Sequence, residues 1–252
     1  KLFGANIKSN KNHLPVTIQG TSFIRPISYI ENIGSAQIKT ACCFGALNAP
    51  GKTIIYARKS RNHTELLFKY LKIPIKIKSS KKFDMIEIEG LKQFSAFKYS
   101  IPGDISSSSF FIVLTILSKN SKLIIRNVNV NESRIGIIKI LKMMSCKIIL
   151  KNKKIYKGEK IADIFIKSSK VLKPINCPPS LNSSAIDELL LIFLVAGIKT
   201  KGISRFYQLG ELNKKESPRL NIAIKFLRMI GIKVSRYNDN IKIYGNPKIN
   251  LN

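Results

Sequence analysis

The sequence contains no tryptophan and only two histidines, His13 and His63. A multi-histidine metal site or a histidine-centred catalytic triad therefore has little material to work with. The four cysteines, Cys42, Cys43, Cys146 and Cys177, form no Cys-x-x-Cys pair and have no histidine at ligand spacing. They read as buried free thiols of a reducing cytosol rather than as a zinc site or a disulfide framework. No apolar run is long enough to span a bilayer; the stretch 189–198 falls well short. The first eight residues carry neither the apolar core nor the cleavage site of a signal peptide. They also lack an initiator Met, so the expectation is a chain that begins inside a longer protein.

Acidic residues are scarce as well: 14 Asp+Glu face 44 Lys+Arg, a formal charge of +30 over 252 residues. Such a balance raises the question of a nucleic-acid or anionic-membrane partner. The residues that carry it argue otherwise. Lys, Ile and Asn number 35, 42 and 20, far above ordinary usage, while only nine of the basic residues are Arg. Lys, Ile and Asn share A/U-rich codons, and Ile and Asn add nothing to phosphate binding. Mutational drift raises all three together; selection for nucleic acid raises Lys and Arg, with Arg the usual reader of phosphate and guanine. Lysines spread evenly along a chain without tryptophan also differ from the stacking platforms of single-strand binders. Neither nucleic acid nor membrane is expected as a partner. With 44% hydrophobic residues, the chain has enough apolar material for a sizeable core.

What is present is repetition. Three segments open with small polar residues: Gly34-Ser35-Ala36-Gln37, Ser106-Ser107-Ser108-Ser109 and Ser183-Ser184-Ala185-Ile186-Asp187. Each continues into an apolar helix-like run (38–47, 110–117, 188–196), a short turn with a basic residue, and a strand. An arginine then stands at or just before a second helix: Arg61, Arg134, Arg219. Each copy closes with alternating strands that end near Gly90, Ile166 and Gly245. Equivalent serines, Ser35, Ser108 and Ser184, are 73 and 76 residues apart. The spacing predicts α/β architecture built from tandem βαβαββ units, three full copies within a longer array. The helices, apolar along most of their length, are expected to be buried between sheets, and the closing strands half-exposed. Residues 2–7 resemble the tail of a second helix and 14–20 a closing strand. The Pro-Gly-Asp interruption at 102–104 divides the chain into expected domains 1–101 and 102–252.

Several residues at the helix starts can carry chemistry. The serine clusters are good N-caps, the reading favoured for Ser106–Ser109. A helix start also binds anions, and Gln37 beside Ser35 and Ala36 exceeds what a cap requires. Arg61 is available for phosphate at the start of the helix containing His63. Asp187 precedes an apolar helix, as a macrodipole partner or as a general base. The segment Lys215-Glu216-Ser217-Pro218-Arg219 is the sharpest. Ser217 as N-cap with Pro218 at the first helical position is an ordinary start. It leaves two cations and a carboxylate at one helix entrance, able to hold an anion and transfer a proton. A solvated charge run fits the same residues, and pattern alone leaves both open.

Taken in order, Ser35-Ala36-Gln37-Ile38-Lys39, Arg61-Asn62-His63-Thr64-Glu65, Pro102-Gly103-Asp104-Ile105-Ser106-Ser107, Ile186-Asp187-Glu188 and Lys215-Glu216-Ser217-Pro218-Arg219 resemble the 5-enolpyruvylshikimate-3-phosphate synthase family. The resemblance runs the whole chain. It implies the enolpyruvyl transferase fold, a two-domain inside-out α/β barrel with three βαβαββ units per domain and substrates in the cleft between them, incomplete here. It implies a transferase of the shikimate pathway, on the route to chorismate and the aromatic amino acids. The enolpyruvyl group of phosphoenolpyruvate passes to the 5-hydroxyl of shikimate 3-phosphate and phosphate leaves, without metal or organic cofactor. Carried over, Ser35, Ala36 and Gln37 bind shikimate 3-phosphate, with Gln37 also near phosphoenolpyruvate. Arg61 lies near the shikimate phosphate. Asp187 accepts the hydroxyl proton, and Lys215 holds the shikimate substrate. Glu216 moves the proton at the enolpyruvyl methylene, and Arg219 grips the phosphoenolpyruvate carboxylate. A cytoplasmic enzyme, monomeric when full length, is expected.

The chain departs from the family pattern at Pro218, where Asp is usual, and at Ala185, where Met is common. The family's opening Lys-Ser-x-x-x-Arg segment, its early Gly-Thr and Arg loops and its late Asp-His-Arg segment have no match. The expectation is a fragment lacking both ends and inactive alone. UDP-N-acetylglucosamine enolpyruvyl transferase, of the same fold, is the nearest alternative, but Ser35-Ala36-Gln37 and the Lys-Glu-x-x-Arg cluster favour the shikimate enzyme. A basic nucleic-acid-binding module is the alternative from a different class.

Overall fold

The computed structural model describes residues 1–11, 13–91, 93–214 and 217–249, without the side chain of Lys214. It forms two compact units, one of 1–99 with 157–159, the other of 100–156 with 160–252.

The first unit begins with an antiparallel hairpin, β1 (Asn6–Asn10) and β2 (His13–Gln19), whose residues are almost all exposed. Residues 2–4 form a turn that leads directly into β1, and β2 covers the closing strand expected at 14–20. A complete copy of the repeat follows: β3 (Ser28–Glu31), α1 (Ala36–Leu47), β4 (Lys52–Arg58), α2 (His63–Tyr70), β5 (Ile75–Ser79) and β6 (Phe83–Glu89). The strands lie in the order β3-β4-β6-β5, with β3 parallel to β4 and the other pairings antiparallel. Alternation in β4 buries Thr53, Ile55 and Ala57; β6 contributes Ile86 and Ile88 to the same face. Cys43 and Ala46 of α1 and Phe68 of α2 close that core.

The second unit holds two further copies. One comprises α3 (Ile105–Leu117), β7 (Lys122–Asn129), α4 (Gly136–Met143), β8 (Lys147–Tyr156) and β9 (Glu159–Lys167). The other comprises α5 (Leu189–Lys199), β10 (Gly202–Phe206), α6 (Arg219–Met229), β11 (Lys233–Tyr237) and β12 (Asn240–Gly245). Their sheets run β7-β9-β8 and β10-β12-β11, the same order as the last three strands of the first copy.

The expected first strand survives in these two copies only as parallel bridges, Gly103 to Val128, Leu172 to Thr200 and Asn176 to Arg205. Prolines explain the loss. Pro102, Pro174, Pro178 and Pro179 lack the amide proton that a longer ladder needs. The core of this unit is built on helix contacts, α3 on α5 and α5 on both α4 and α6, with Phe193 set edge-on to Phe206 at 4.8 Å.

Three local expectations are corrected. The N-cap of α3 is Asp104, not a serine; Ser106–Ser109 lie inside the first turns, where Ser108 and Ser109 donate back to the carbonyls of Asp104 and Ser106. Pro218 occupies the cap position of α6 rather than its first helical position, and Ser217 provides no side-chain cap. The helices are not buried all round either, since Phe110, Phe111 and Leu114 of α3 are each about 60% exposed. All four cysteines are free; Cys43, Cys146 and Cys177 are buried as expected, which pushes Cys43 and Cys146 up to about 12 and Cys177 to about 11, whereas Cys42 is only half-buried. No helix among the described residues is long and apolar enough to cross a membrane.

Gly90 and Gly245 end the closing strands of the first and third copies for one steric reason. A Cβ at Gly90 would run into the carbonyls of Ala46, in the last turn of α1, and Ala49, just after it, and one at Gly245 into Thr200 after α5. The end of the first helix abuts the end of the last strand too closely for a side chain. Gly90→Ala is expected to destabilise the first unit by about 1–3 kcal/mol, the cost of overpacking, read as a lower urea midpoint.

Candidate functional site

The two helix entrances of each copy come together, and the cause is topological. A parallel strand pair is joined by a helical crossover, so the chain returns to the same sheet edge before each helix. In the first copy, α1 follows β3 and α2 follows β4, both from the carboxyl ends of parallel strands.

At the first entrance, the buried carboxylate of Glu31 accepts from the amides of Ile33 and Gly34, at 2.8 and 2.9 Å. Gly34 adopts φ +80, a left-handed turn that suits glycine, and the chain is thereby aimed into the helix. Ser35 caps α1 by accepting from the Ile38 amide at 3.4 Å, with Ala36 and Gln37 as the first helical residues. Arg61 stands at the second entrance, two residues before α2.

Lys39 fastens the two entrances together. Its ammonium lies 2.6 Å from Glu65 Oε1 and donates to the Arg61 carbonyl at 2.8 Å; the side chains of Lys39 and Glu65 are 1% and 3% exposed. The hydroxyls of Thr40 and Thr64, one residue further along α1 and one before Glu65, meet at 2.7 Å. The sequence offered one sign of this clamp that went unread: Lys39 is the single charged residue of an otherwise neutral helix.

In the second unit the same entrances are joined by side chains. Asp104 caps α3, accepting from the Ser107 amide and hydroxyl at 2.8 and 3.0 Å. Arg134, before α4, donates to Asp104 Oδ1 at 3.1 Å. Burial opposes ionisation of Asp104, yet the Ser107 donors and the Arg134 guanidinium hold its carboxyl below the usual value of 3.8. In the third copy Asp187 lies in the turn before α5, and Arg219, the first residue of α6, donates to its Oδ1 at 2.9 Å. Of the sequence-predicted residues, the structure thus joins Ser35, Ala36, Gln37 and Arg61 through Lys39, and pairs Asp187 with Arg219. Lys215 and Glu216 lie outside the described residues.

Each copy thus fastens its two helix entrances, by a buried lysine in the first and by an acid–arginine pair in the second and third, and comparison with known proteins gives the family of the chain. The family model for EPSP synthase (3-phosphoshikimate 1-carboxyvinyltransferase) matches residues 1–251. The chain belongs to this family. Among EPSP synthase relatives, the 3-phosphoshikimate 1-carboxyvinyltransferase of Petrotoga mobilis is 36% identical over 247 residues, covering 97% of this chain and 56% of its own length. That of Ruthia magnifica is 37% identical over 243 residues, covering 96% and 54%. The solved EPSP synthase of Acinetobacter baumannii superposes with a TM-score of 0.86 at 32% identity, over 98% of this chain and 55% of that one. The enolpyruvyl transferase NikO of Streptomyces tendae shares the fold, with a TM-score of 0.65 at 10% identity. The chain therefore spans little more than half the length of the EPSP synthases it matches.

Two variants test the entrance chemistry. Lys39→Met leaves the Glu65 carboxylate buried without its cation and is expected to cost about 3–5 kcal/mol in urea unfolding. Adding Glu65→Leu should restore most of that loss. Asp104→Ala should cost about 1 kcal/mol at neutral pH, the usual contribution of a cap. Because the folded-state value of Asp104 is lowered, its contribution is present above the ordinary carboxylate range and lost as pH falls through the folded value. Wild-type and variant stabilities measured from pH 7 to pH 2.5 should therefore converge at the acid end.

Proposed function

We propose that this chain is part of a 3-phosphoshikimate 1-carboxyvinyltransferase. The reaction transfers the enolpyruvyl group of phosphoenolpyruvate to the 5-hydroxyl of shikimate 3-phosphate and releases inorganic phosphate. Its substrates are two small anions; neither nucleic acid nor a membrane is proposed as a partner. The enzyme is cytoplasmic and, when full length, monomeric, with domains at 1–101 and 102–252. The observation that carries the reading is the Asp187–Arg219 pair at 2.9 Å, a carboxylate and a guanidinium brought from two helix entrances to one point.

Such a pair suits addition–elimination on an enol phosphate: the hydroxyl adds across its double bond, and loss of phosphate leaves an enol ether. Arg219 holds the phosphoenolpyruvate carboxylate, an anion that a planar guanidinium grips with two parallel bonds. Asp187, once its partner engages the substrate, takes the proton of the attacking hydroxyl. Lys215 binds the shikimate substrate, and Glu216 delivers and then removes the proton at the methylene carbon. Ser35, Ala36 and Gln37 bind shikimate 3-phosphate at the start of α1, where free amides favour an anion, and Gln37 also approaches phosphoenolpyruvate. Arg61 neutralises the shikimate phosphate. All of this chemistry is proton transfer and charge stabilisation by side chains, and no metal or organic cofactor enters it.

Thermal unfolding tests the assignment. Shikimate 3-phosphate is expected to raise the melting temperature of the chain and UDP-N-acetylglucosamine to leave it unchanged. Stabilisation by the UDP-sugar alone, or by neither compound, overturns the reading. The chain by itself should release no phosphate from the two substrates; measurable release shows that the missing length is dispensable.

A further inference from the structure

Asp187 sits in a turn that is fixed from both sides by residues with no assigned part in the reaction. On the upstream side, the Gly136 amide, at the start of α4, donates to the Ser184 carbonyl at 3.1 Å. The approach is close: a Cβ on Gly136 would lie 2.5 Å from Ser184 Oγ. The Ser184 hydroxyl in turn donates to the Leu181 carbonyl at 3.0 Å. The buried Asn182 amide donates to the carbonyls of Tyr207 and Gln208, at 2.8 and 3.2 Å.

On the downstream side stands Glu188, only 2% exposed. Its carboxylate accepts a short hydrogen bond from the hydroxyl of Ser106. That hydroxyl is itself the acceptor for Arg134 Nη2 at 2.6 Å, and the same nitrogen donates to Asp104 Oδ1 at 3.1 Å. The direction of this chain is set by proton count. A serine hydroxyl has one proton, and with the guanidinium donating to its oxygen, that proton is left for Glu188. The arginine thus stabilises a buried carboxylate it does not touch, and a buried carboxylate without such support is costly. Glu188 is the backbone neighbour of Asp187, so holding one side chain inward fixes the direction in which the other leaves the turn.

We infer that Ser106, oriented by Arg134, is a positioning residue for Asp187 and acts through Glu188. The inference rests on the reading of Asp187 as the proton acceptor, but the geometry it concerns exists without substrate. With the Ser106–Glu188 bond intact, Asp187 presents its carboxylate to Arg219 at 2.9 Å. Without it, Glu188 loses the donor that Arg134 orients, the turn rotates, and the Asp187–Arg219 distance lengthens.

The test follows the side-chain carboxyl carbon of Asp187 by NMR through an acid titration of the full chain, with no substrate present. In Ser106→Ala the Asp187 midpoint should rise by about one unit, as the carboxylate loses its guanidinium partner. Ser106→Thr, which keeps the hydroxyl, should restore the wild-type midpoint. Ser109→Ala removes a hydroxyl bonded only within its own helix, to the Ser106 carbonyl, and should leave the midpoint unchanged. Should Ser106→Ala fail to fold, Arg134→Gln removes the orienting cation and is expected to raise the midpoint in the same direction. An Asp187 titration unmoved in the folded variant, or moved equally by Ser109→Ala, overturns the inference. Failure of shikimate 3-phosphate to bind bears on the proposed reaction instead, and leaves these midpoints as they are.

Discussion

Parallel pairing of the first two strands is the constraint from which the rest of each copy follows. Two strands that run the same way cannot be joined by a tight turn. The chain must cross over through a helix and come back to the edge it left. Every copy therefore sends both of its helices away from one edge, and their exposed amides and first side chains converge there. The constraint survives when the first strand shrinks to one bridge, at Gly103, or two, at Leu172 and Asn176, because so few parallel contacts are enough to set the direction. What varies between copies is the fastening: a lysine between two helices in the first, acid–arginine pairs in the second and third.

The repeat was legible because it is written in periodicity and spacing, properties local enough to survive any packing detail. The order of elements, the alternation of the closing strands and the arginine before each second helix all follow from it. Caps were read less well. The Pro-Gly-Asp sequence at 102–104 reads as an interruption of the pattern, and nothing in it announces that Gly103 carries the remnant strand and Asp104 the cap of α3. Serines that follow a stronger cap simply turn back onto their own helix. Pro218 shows the same limit: the sequence announces a helix start, but which residue takes the cap depends on the backbone that arrives there.

The contacts across entrances are the least legible part, because they join positions 22 to 82 residues apart in the chain. A lysine in a helix usually signals a solvent-facing side. Lys39 does the reverse, and only the facing carboxylate of Glu65 makes its burial tolerable. In the sequence Ser106 reads as a cap and Glu188 as the neighbour of Asp187; nothing in either local pattern says that they touch. Such pairs are decided by the crossover geometry, which fixes the distance between helix entrances without fixing which side chains fill it.

The scarcity of acids takes on a different meaning once their positions are known. Glu31, Glu65, Glu159 and Glu188 are buried, and Asp104 and Asp187 are committed to arginines. With 14 acidic residues against 44 basic ones in all, the four buried acids outnumber the buried Lys39 among the described residues, which leaves the outside still more one-sided than the net charge of +30 suggests. The exposed charges of the folded chain are consequently mostly cationic, a repulsion that exposed acids such as Glu132 beside Lys139 and Lys160 relieve locally and counterions relieve elsewhere. Its cohesion should strengthen as ionic strength rises, the reverse of a protein held by surface ion pairs. Any polyanion it meets in dilute buffer will adhere by simple charge neutralisation, without a sequence or shape being read.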